Sequence, residues 1–183
     1  TGMMKVQCQN EPELIDFVVT RDEIPSYSVD AHYMAAPGVG YIKIVRFAES
    51  TEKEVKDALK ALKKQGMKRL IIDLQGNGGG YMNAAVAVAQ LFLDKGDEIV
   101  YTKGLRVQPS YYSAASTGPY RDIEVVTMID PSSASASEIL AGASPDNDRG
   151  VGIGRRALAQ GSWKRLYTCR AGGRNRWHRP TIP

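Results

Sequence analysis

Two short apolar runs, Leu70-Ile71-Ile72-Asp73-Leu74 and Glu124-Val125-Val126-Thr127-Met128-Ile129, each end in a stretch of small residues that opens a helix. A buried strand that turns at once into a helix is the repeating half of a βαβ unit. Two of them in one chain point to an α/β fold with a largely parallel sheet. The surrounding pattern agrees. Leu14–Thr20 is apolar and β-branched and reads as a strand broken by Pro25-Ser26. His32–Ala36 reads as another, turned by Pro37-Gly38, and Tyr41–Phe47 alternates with period two, as a half-buried strand does.

The helix signals are equally direct. Glu52–Gln65 carries Val55, Ala58, Leu59 and Leu62 on one stripe, with Thr51 and Glu54 in a capping-box spacing and Gly66 at its end. Asn83–Asp94 is apolar nearly all round, so it belongs between other elements. Glu98–Thr102 reads as a strand and Ser137–Ala143 as a helix. With 43% hydrophobic residues the chain can build a core, and no run approaches the roughly 18 apolar residues a membrane helix needs.

Charge divides the chain. From Arg155 to Pro183 there are eight basic residues and no acidic one, leaving 16 basic against 20 acidic in the first 154 residues. Both tryptophans, Trp163 and Trp177, fall in this tail, and neither helical nor strand periodicity continues there. The tail carries no recognisable nucleic-acid module. Cys8 and Cys169, and His32 and His178, are too few and too separated for a metal centre or a disulfide framework. No cofactor is indicated.

Two junctions can carry chemistry. In Gln75-Gly76-Asn77-Gly78-Gly79-Gly80, successive glycines let backbone N–H groups converge on an anion. A dinucleotide loop would need a third glycine where Tyr81 stands, and a P-loop would need a lysine. An oxyanion site and a plain tight turn remain. In Pro131-Ser132-Ser133-Ala134-Ser135-Ala136-Ser137-Glu138, a serine lies at a strand's carboxyl end beside a helix start. That is a place for a nucleophile, and equally for an ordinary helix cap.

The residues Gly76-Asn77-x-Gly79-Gly80, followed by Ser133-Ala134-Ser135-Ala136-Ser137-Glu138-Ile139-Leu140-Ala141-Gly142-Ala143, resemble the carboxy-terminal processing (tail-specific) serine peptidases. Tyr41-Ile42-Lys43-Ile44, Leu70–Leu74 and Asp146-Asn147-Asp148-Arg149-Gly150 extend the resemblance over roughly residues 12–156. It implies a βα-spiral core related to crotonases and Clp-type proteases. It makes Ser135 the nucleophile, with an oxyanion hole from the N–H groups of Gly79 (or Gly80) and Ala136. It implies protein or peptide substrates, bound through their C-terminal regions, and a site of action in the cell envelope, periplasmic or otherwise extracytoplasmic. Oligomeric state is open. A PDZ domain precedes this core in the family, so residues 1–24 read as the last strands of a truncated one, 25–156 as the peptidase core and 157–183 as a basic tail outside the family, poor in regular structure.

One position breaks the pattern. The family's general base is a lysine twenty-five residues after the serine; here that slot holds Gln160, and the slot of an orienting glutamine holds Lys164. A neutral amide cannot take the serine's proton at ordinary pH. Three accounts stand: a natural pseudoenzyme that binds peptides, a relocated base at Lys164, or a segment after Arg156 that is not family sequence, as a shifted reading frame produces. The composition of the tail favours the last. A crotonase-like acyl-CoA enzyme is the remaining alternative, since a related spiral serves thioesters.

Overall fold

The computed structural model describes residues 2–8, 12–20, 26–102, 108–155 and 157. Its centre is a five-stranded sheet. The strands are β3 (Val29–Ala36), β4 (Val39–Ile44), β5 (Arg69–Asp73), β8 (Glu124–Ile129) and β9 (Gly150–Gly154), and they lie side by side in that order. β3 and β4 form an antiparallel hairpin, and every later pair is parallel. Two hairpins stand apart from this sheet: β1 (Gly2–Val6) with β2 (Ile15–Val19), and β6 (Glu98–Thr102) with β7 (Ser110–Ser113).

Parallel neighbours need a crossover between them, and helices supply it. α1 (Thr51–Lys64) joins β4 to β5, α2 (Met82–Ala89) follows β5, and α3 (Ala136–Asp146) joins β8 to β9. α1 packs on β3, β4 and α2; α3 packs on α2, β6, β8 and β9. The expected stripe Val55, Ala58, Leu59, Leu62 is buried and faces this core. α2 lies between α1 and α3, as its apolar surface required. Its small residues, among them Ala84, Ala85 and Ala89, let neighbouring helices approach. One face of the sheet is sealed by alternation: Ile42 and Ile44, Leu70 and Ile72, Val125 and Ile129 are buried. At Gly40 a side chain would meet the Met67 and Leu62 side chains within about 3 Å, so glycine lets the end of α1 pack close without displacing them.

Several boundaries differ from the sequence reading. β4 stops at Ile44, because Val45–Phe47 leave the ladder and Phe47 pairs instead with Gly80. α2 ends at Ala89, short of Asp94. α3 runs three residues beyond Ala143. Thr51 does not cap α1. The N-cap is Ser50, and the buried Thr51 hydroxyl accepts the Ala48 N–H and donates to Ser28. The Glu54 carboxylate accepts the N–H groups of Ser28 and Val29 at 2.8 and 2.9 Å, so it ties the strand entry to the helix rather than closing a capping box. β7 and β9 have short or glycine-interrupted sequences and were not anticipated.

The β1–β2 hairpin exposes Met3, Phe17 and Val18. Two paired strands do not identify a domain, and nothing in them bears on the expected PDZ remnant. The tail from residue 158 on, with Gln160, Lys164, Trp163, Trp177, Cys169 and His178, lies outside the described residues. So does the expectation that it is poorly structured. No helix among the described residues is long and apolar enough to cross a membrane.

Near the end of α3 the half-buried Asp146 has one oxygen, Oδ2, with no hydrogen-bond partner. Burial pushes its pKa up to about 6. A carboxyl that binds its proton more tightly in the folded state costs stability as pH rises from the unfolded value, near 3.9, through the folded one. Asp146→Asn is therefore expected to stabilise the protein at neutral pH. Thermal melts across about pH 4 to 7 should show the gap to the parent widening upward through that window; a gap of constant size would refute it.

Candidate active site

β5 and β8 are hydrogen-bonded neighbours, so their carboxyl ends deliver the glycine-rich turn and the serine loop to the same place. The approach is close. A side-chain carbon built on Gly79 would stand 2.7 Å from the Ala134 carbonyl oxygen, 2.8 Å from Ser135 Cβ and 3.1 Å from the Ala136 nitrogen. The juxtaposition of Gly79 with Ser135 expected from the two motifs is thus present.

The serines of the loop divide by role. Ser133 is fully buried, and its hydroxyl donates to the Leu74 carbonyl at 2.8 Å, tying the loop to the end of β5. Ser137 is fully buried, and its hydroxyl donates to the Asn77 carbonyl at 2.9 Å. Ser132 is exposed. Ser135 is half-buried at the start of α3 with φ 56° and ψ −116°. Among the described residues only Ser135 and Asp148 combine a side chain with positive φ.

Ser135 carries features of both readings. It does form a reciprocal capping box with Glu138, whose Oε2 accepts the Ser135 N–H at 2.8 Å. An ordinary capping serine, however, sits in the extended region with negative φ. A left-handed serine is strained by about 1–3 kcal/mol, and such strain recurs at strand-to-helix elbows that thrust a nucleophile outward. The strain can be measured. Ser135→Gly and Ser135→Ala both delete the hydroxyl, but only glycine adopts φ 56° freely. Ser135→Gly should be the more stable of the two by about 1 kcal/mol in urea unfolding, the reverse of the usual order inside a helix. Equal stability would mean the elbow carries no strain.

The backbone donors of the glycine turn can be followed one at a time. Leu74 N–H goes to the Met128 carbonyl, Gln75 N–H to Asp73 Oδ1, Gly76 N–H to Asp130 Oδ1 and Asn77 N–H to the Leu74 carbonyl. Gly79 N–H donates to Asn77 Oδ1 at 2.8 Å, in a buried bond. Tyr81 N–H and the Gly79 carbonyl form the bridge to Phe47. Of the two expected donors on this turn, Gly79 and Gly80, the Gly79 amide is engaged by the side chain two residues before it. Among the described residues the N–H groups of Gly78, Gly80 and Ala136 have no acceptor. Gly80 is exposed and flanks the Gly79–Ser135 contact; Ala136 follows Ser135 directly.

Sequence reasoning missed the residues that hold the two loops together. Asn77 is fully buried. Its Nδ2 donates to the Ile44 carbonyl, and its own carbonyl accepts the Ala134 N–H and the Ser137 hydroxyl. One side chain and one peptide thus join β4, the glycine turn and α3. Asp130 Oδ1 accepts from Gly76, Ser132 and Ser133. The Gly76 bond, with those from the serine loop, outweighs partial burial and holds its carboxyl below the ordinary range. The available signal was the position of Asp130 at a strand end before Pro131-Ser132-Ser133, where an aspartate caps its own turn. Gln160 and Lys164 lie outside the described residues, and nothing places either against Ser135.

The profile described as peptidase family S41 matches residues 38–176. It reaches past Arg156 and includes the positions of Gln160 and Lys164. The chain is 37% identical over 129 residues to a carboxyl-terminal-processing protease of Picosynechococcus sp., covering 70% of this chain and 31% of that protein. It is 35% identical over 152 residues to the carboxy-terminal processing protease CtpA of Bacillus subtilis, covering 81% and 31%. Among solved structures it resembles a photosystem II D1 C-terminal processing protease, with TM-score 0.65 and 28% identity over 80% of this chain and 41% of that one. The chain thus spans about a third of the length of these curated relatives.

Proposed function

The chain belongs to peptidase family S41, a family of serine-type hydrolases, and on that premise we propose that it is the nucleophile-bearing part of a serine endopeptidase that cleaves protein substrates near their carboxyl ends, with Ser135 attacking the scissile carbonyl. The observation that supports this most is the left-handed Ser135, set at a strand-to-helix elbow against the glycine turn. The chemistry follows from what surrounds it. Attack by serine Oγ puts negative charge on the substrate oxygen. The Ala136 N–H, at the start of α3, and the exposed Gly80 N–H are the donors open to receive it. The Gly79 amide, the donor first expected, orders the turn through Asn77 instead.

The proton from Ser135 needs an acceptor, and in the Ser-Lys arrangement this is a lysine whose burial lowers its pKa. Gln160 stands in that slot, so the chain as it stands holds the nucleophile and lacks the base. A second reading rests on the same residue: a groove that binds peptides without cutting them. Substrate specificity for carboxyl ends and an extracytoplasmic site of action follow from the resemblance to the processing peptidases.

The test is a chimera in which residues from 157 onward are replaced by the corresponding lysine-bearing segment of a family member. An internally quenched peptide should be hydrolysed by the chimera and not by its Ser135→Ala form. Hydrolysis that survives Ser135→Ala would remove Ser135 from the mechanism. A chimera that binds the peptide without cleaving it would favour the peptide-binding reading.

A further inference from the structure

Asp73 closes β5 and is only 4% exposed, yet both its oxygens are engaged. Oδ1 accepts the Gln75 N–H at 2.8 Å. Oδ2 accepts the Tyr41 hydroxyl at 2.6 Å and the Lys43 ammonium at 3.0 Å. Lys43, directly opposite Asp73 in the β4–β5 register, also donates to the Gln75 carbonyl at 2.8 Å. Gln75 is therefore gripped at both its main-chain polar groups by two side chains of opposite charge. The next residue, Gly76, enters the left-handed region, and the turn then runs to Gly78 and Gly80, whose amides have no acceptor among the described residues. Burial, then the bond to Asp73, pushes the Tyr41 phenol far above its ordinary range, so it remains a donor at any working pH.

An ion pair with one partner buried and the other partly so is a poor way to gain stability. Its desolvation rivals its attraction, and an apolar pair of similar volume often does as well or better. Apolar neighbours are at hand: Ile71 and Met128 lie on the same sheet face, in register with Tyr41 and Asp73. The charged pair is better explained by what it holds. We infer that Lys43, Asp73 and Tyr41 are positioning residues that fix the glycine-rich turn, through the two peptide units of Gln75, in the geometry that receives the oxyanion. The inference rests on the reading of Ser135 as nucleophile.

The probe is a peptide boronic acid. Its boron forms a bond to Ser135 Oγ, the serine O–H proton passes to water, and the product is a tetrahedral anion resembling the intermediate. The same peptide ending in a carboxylate reports ground-state binding alone. In the full chain, the double variant Lys43→Met/Asp73→Leu replaces the ion pair by an apolar pair but also removes the acceptor of the Gln75 N–H and the Tyr41 hydroxyl, so affinities are compared well below its measured melting temperature. It should lose about tenfold in boronate affinity while affinity for the carboxylate peptide holds. Lys43→Met alone should move in the same direction. Loss of both affinities in parallel, or of neither, overturns the inference. If Ser135→Ala leaves boronate affinity unchanged, the nucleophile reading fails instead. The clamp is then decided by hydrogen exchange of the Gln75 and Gly76 amides, which should quicken in the double variant by about tenfold more than any change in global stability accounts for; exchange that changes no more than global stability overturns it.

Discussion

Gly79→Ala is expected to destabilise the protein by about 3 kcal/mol and to abolish covalent capture of any ligand at Ser135. Two effects add. Gly79 has φ +105°, which no other residue adopts without strain, and the new methyl would stand within 2.8 Å of both the Ala134 carbonyl oxygen and Ser135 Cβ. The first of these is backbone and cannot swing away. The two loops must part, and the bonds Asn77 forms to Ala134 and Ser137 part with them. Gly78→Ala is the matched control. Nothing lies within 4 Å of the carbon it would add, and its φ is not left-handed. It should fall within about 0.5 kcal/mol of the parent. Urea unfolding of both variants measures the difference, and near-equal midpoints would mean that the turn and the serine loop are not packed as described.

The frame of the molecule was legible because its signals are local and periodic. The α1 stripe, the β8 run and the two strand–turn–helix junctions announce themselves within a dozen residues, and the parallel pairing of β5 with β8 fits a crossover that includes α2. Boundaries were less legible where a tertiary partner decides them. Phe47 continues the alternation of β4 in sequence but pairs with Gly80, because the glycine turn reaches back to it. Thr51 has the residue type of a cap and is used as a buried link to Ser28.

The candidate site shows the same division. The nearness of the serine loop to the glycine turn could be expected from the two motifs, whereas the hydrogen bonds within the turn could not. Sequence alone cannot tell that the Asn77 side chain folds back onto the Gly79 amide. Nor can it tell that Asp73 and Lys43, spaced thirty residues apart, meet on Gln75. These are contacts between side chains and backbone of different segments. They appear only once the sheet sets β4 beside β5 and β8.

Hydrolysis should be undetectable in the unmodified chain. Loss of a serine nucleophile's base typically costs several orders of magnitude in rate, and what an oxyanion hole retains on its own falls far below a practical peptide assay. Gln160→Lys should restore little by itself. A lysine acts as a base only when burial or a neighbouring cation lowers its pKa and when its amine meets Ser135 Oγ within hydrogen-bond reach. Both conditions depend on the whole segment around position 160, whose eight arginines and lysines, without an acid among them, show neither helical nor strand periodicity. The family profile nevertheless runs through this segment to residue 176, so the contrast is informative. Gln160→Lys restoring cleavage at a rate comparable with the chimera would mean that one substitution separates this chain from an active peptidase. Cleavage by the unmodified chain that disappears on Lys164→Ala would place the base at Lys164 and overturn the assignment of Gln160 to the vacant slot.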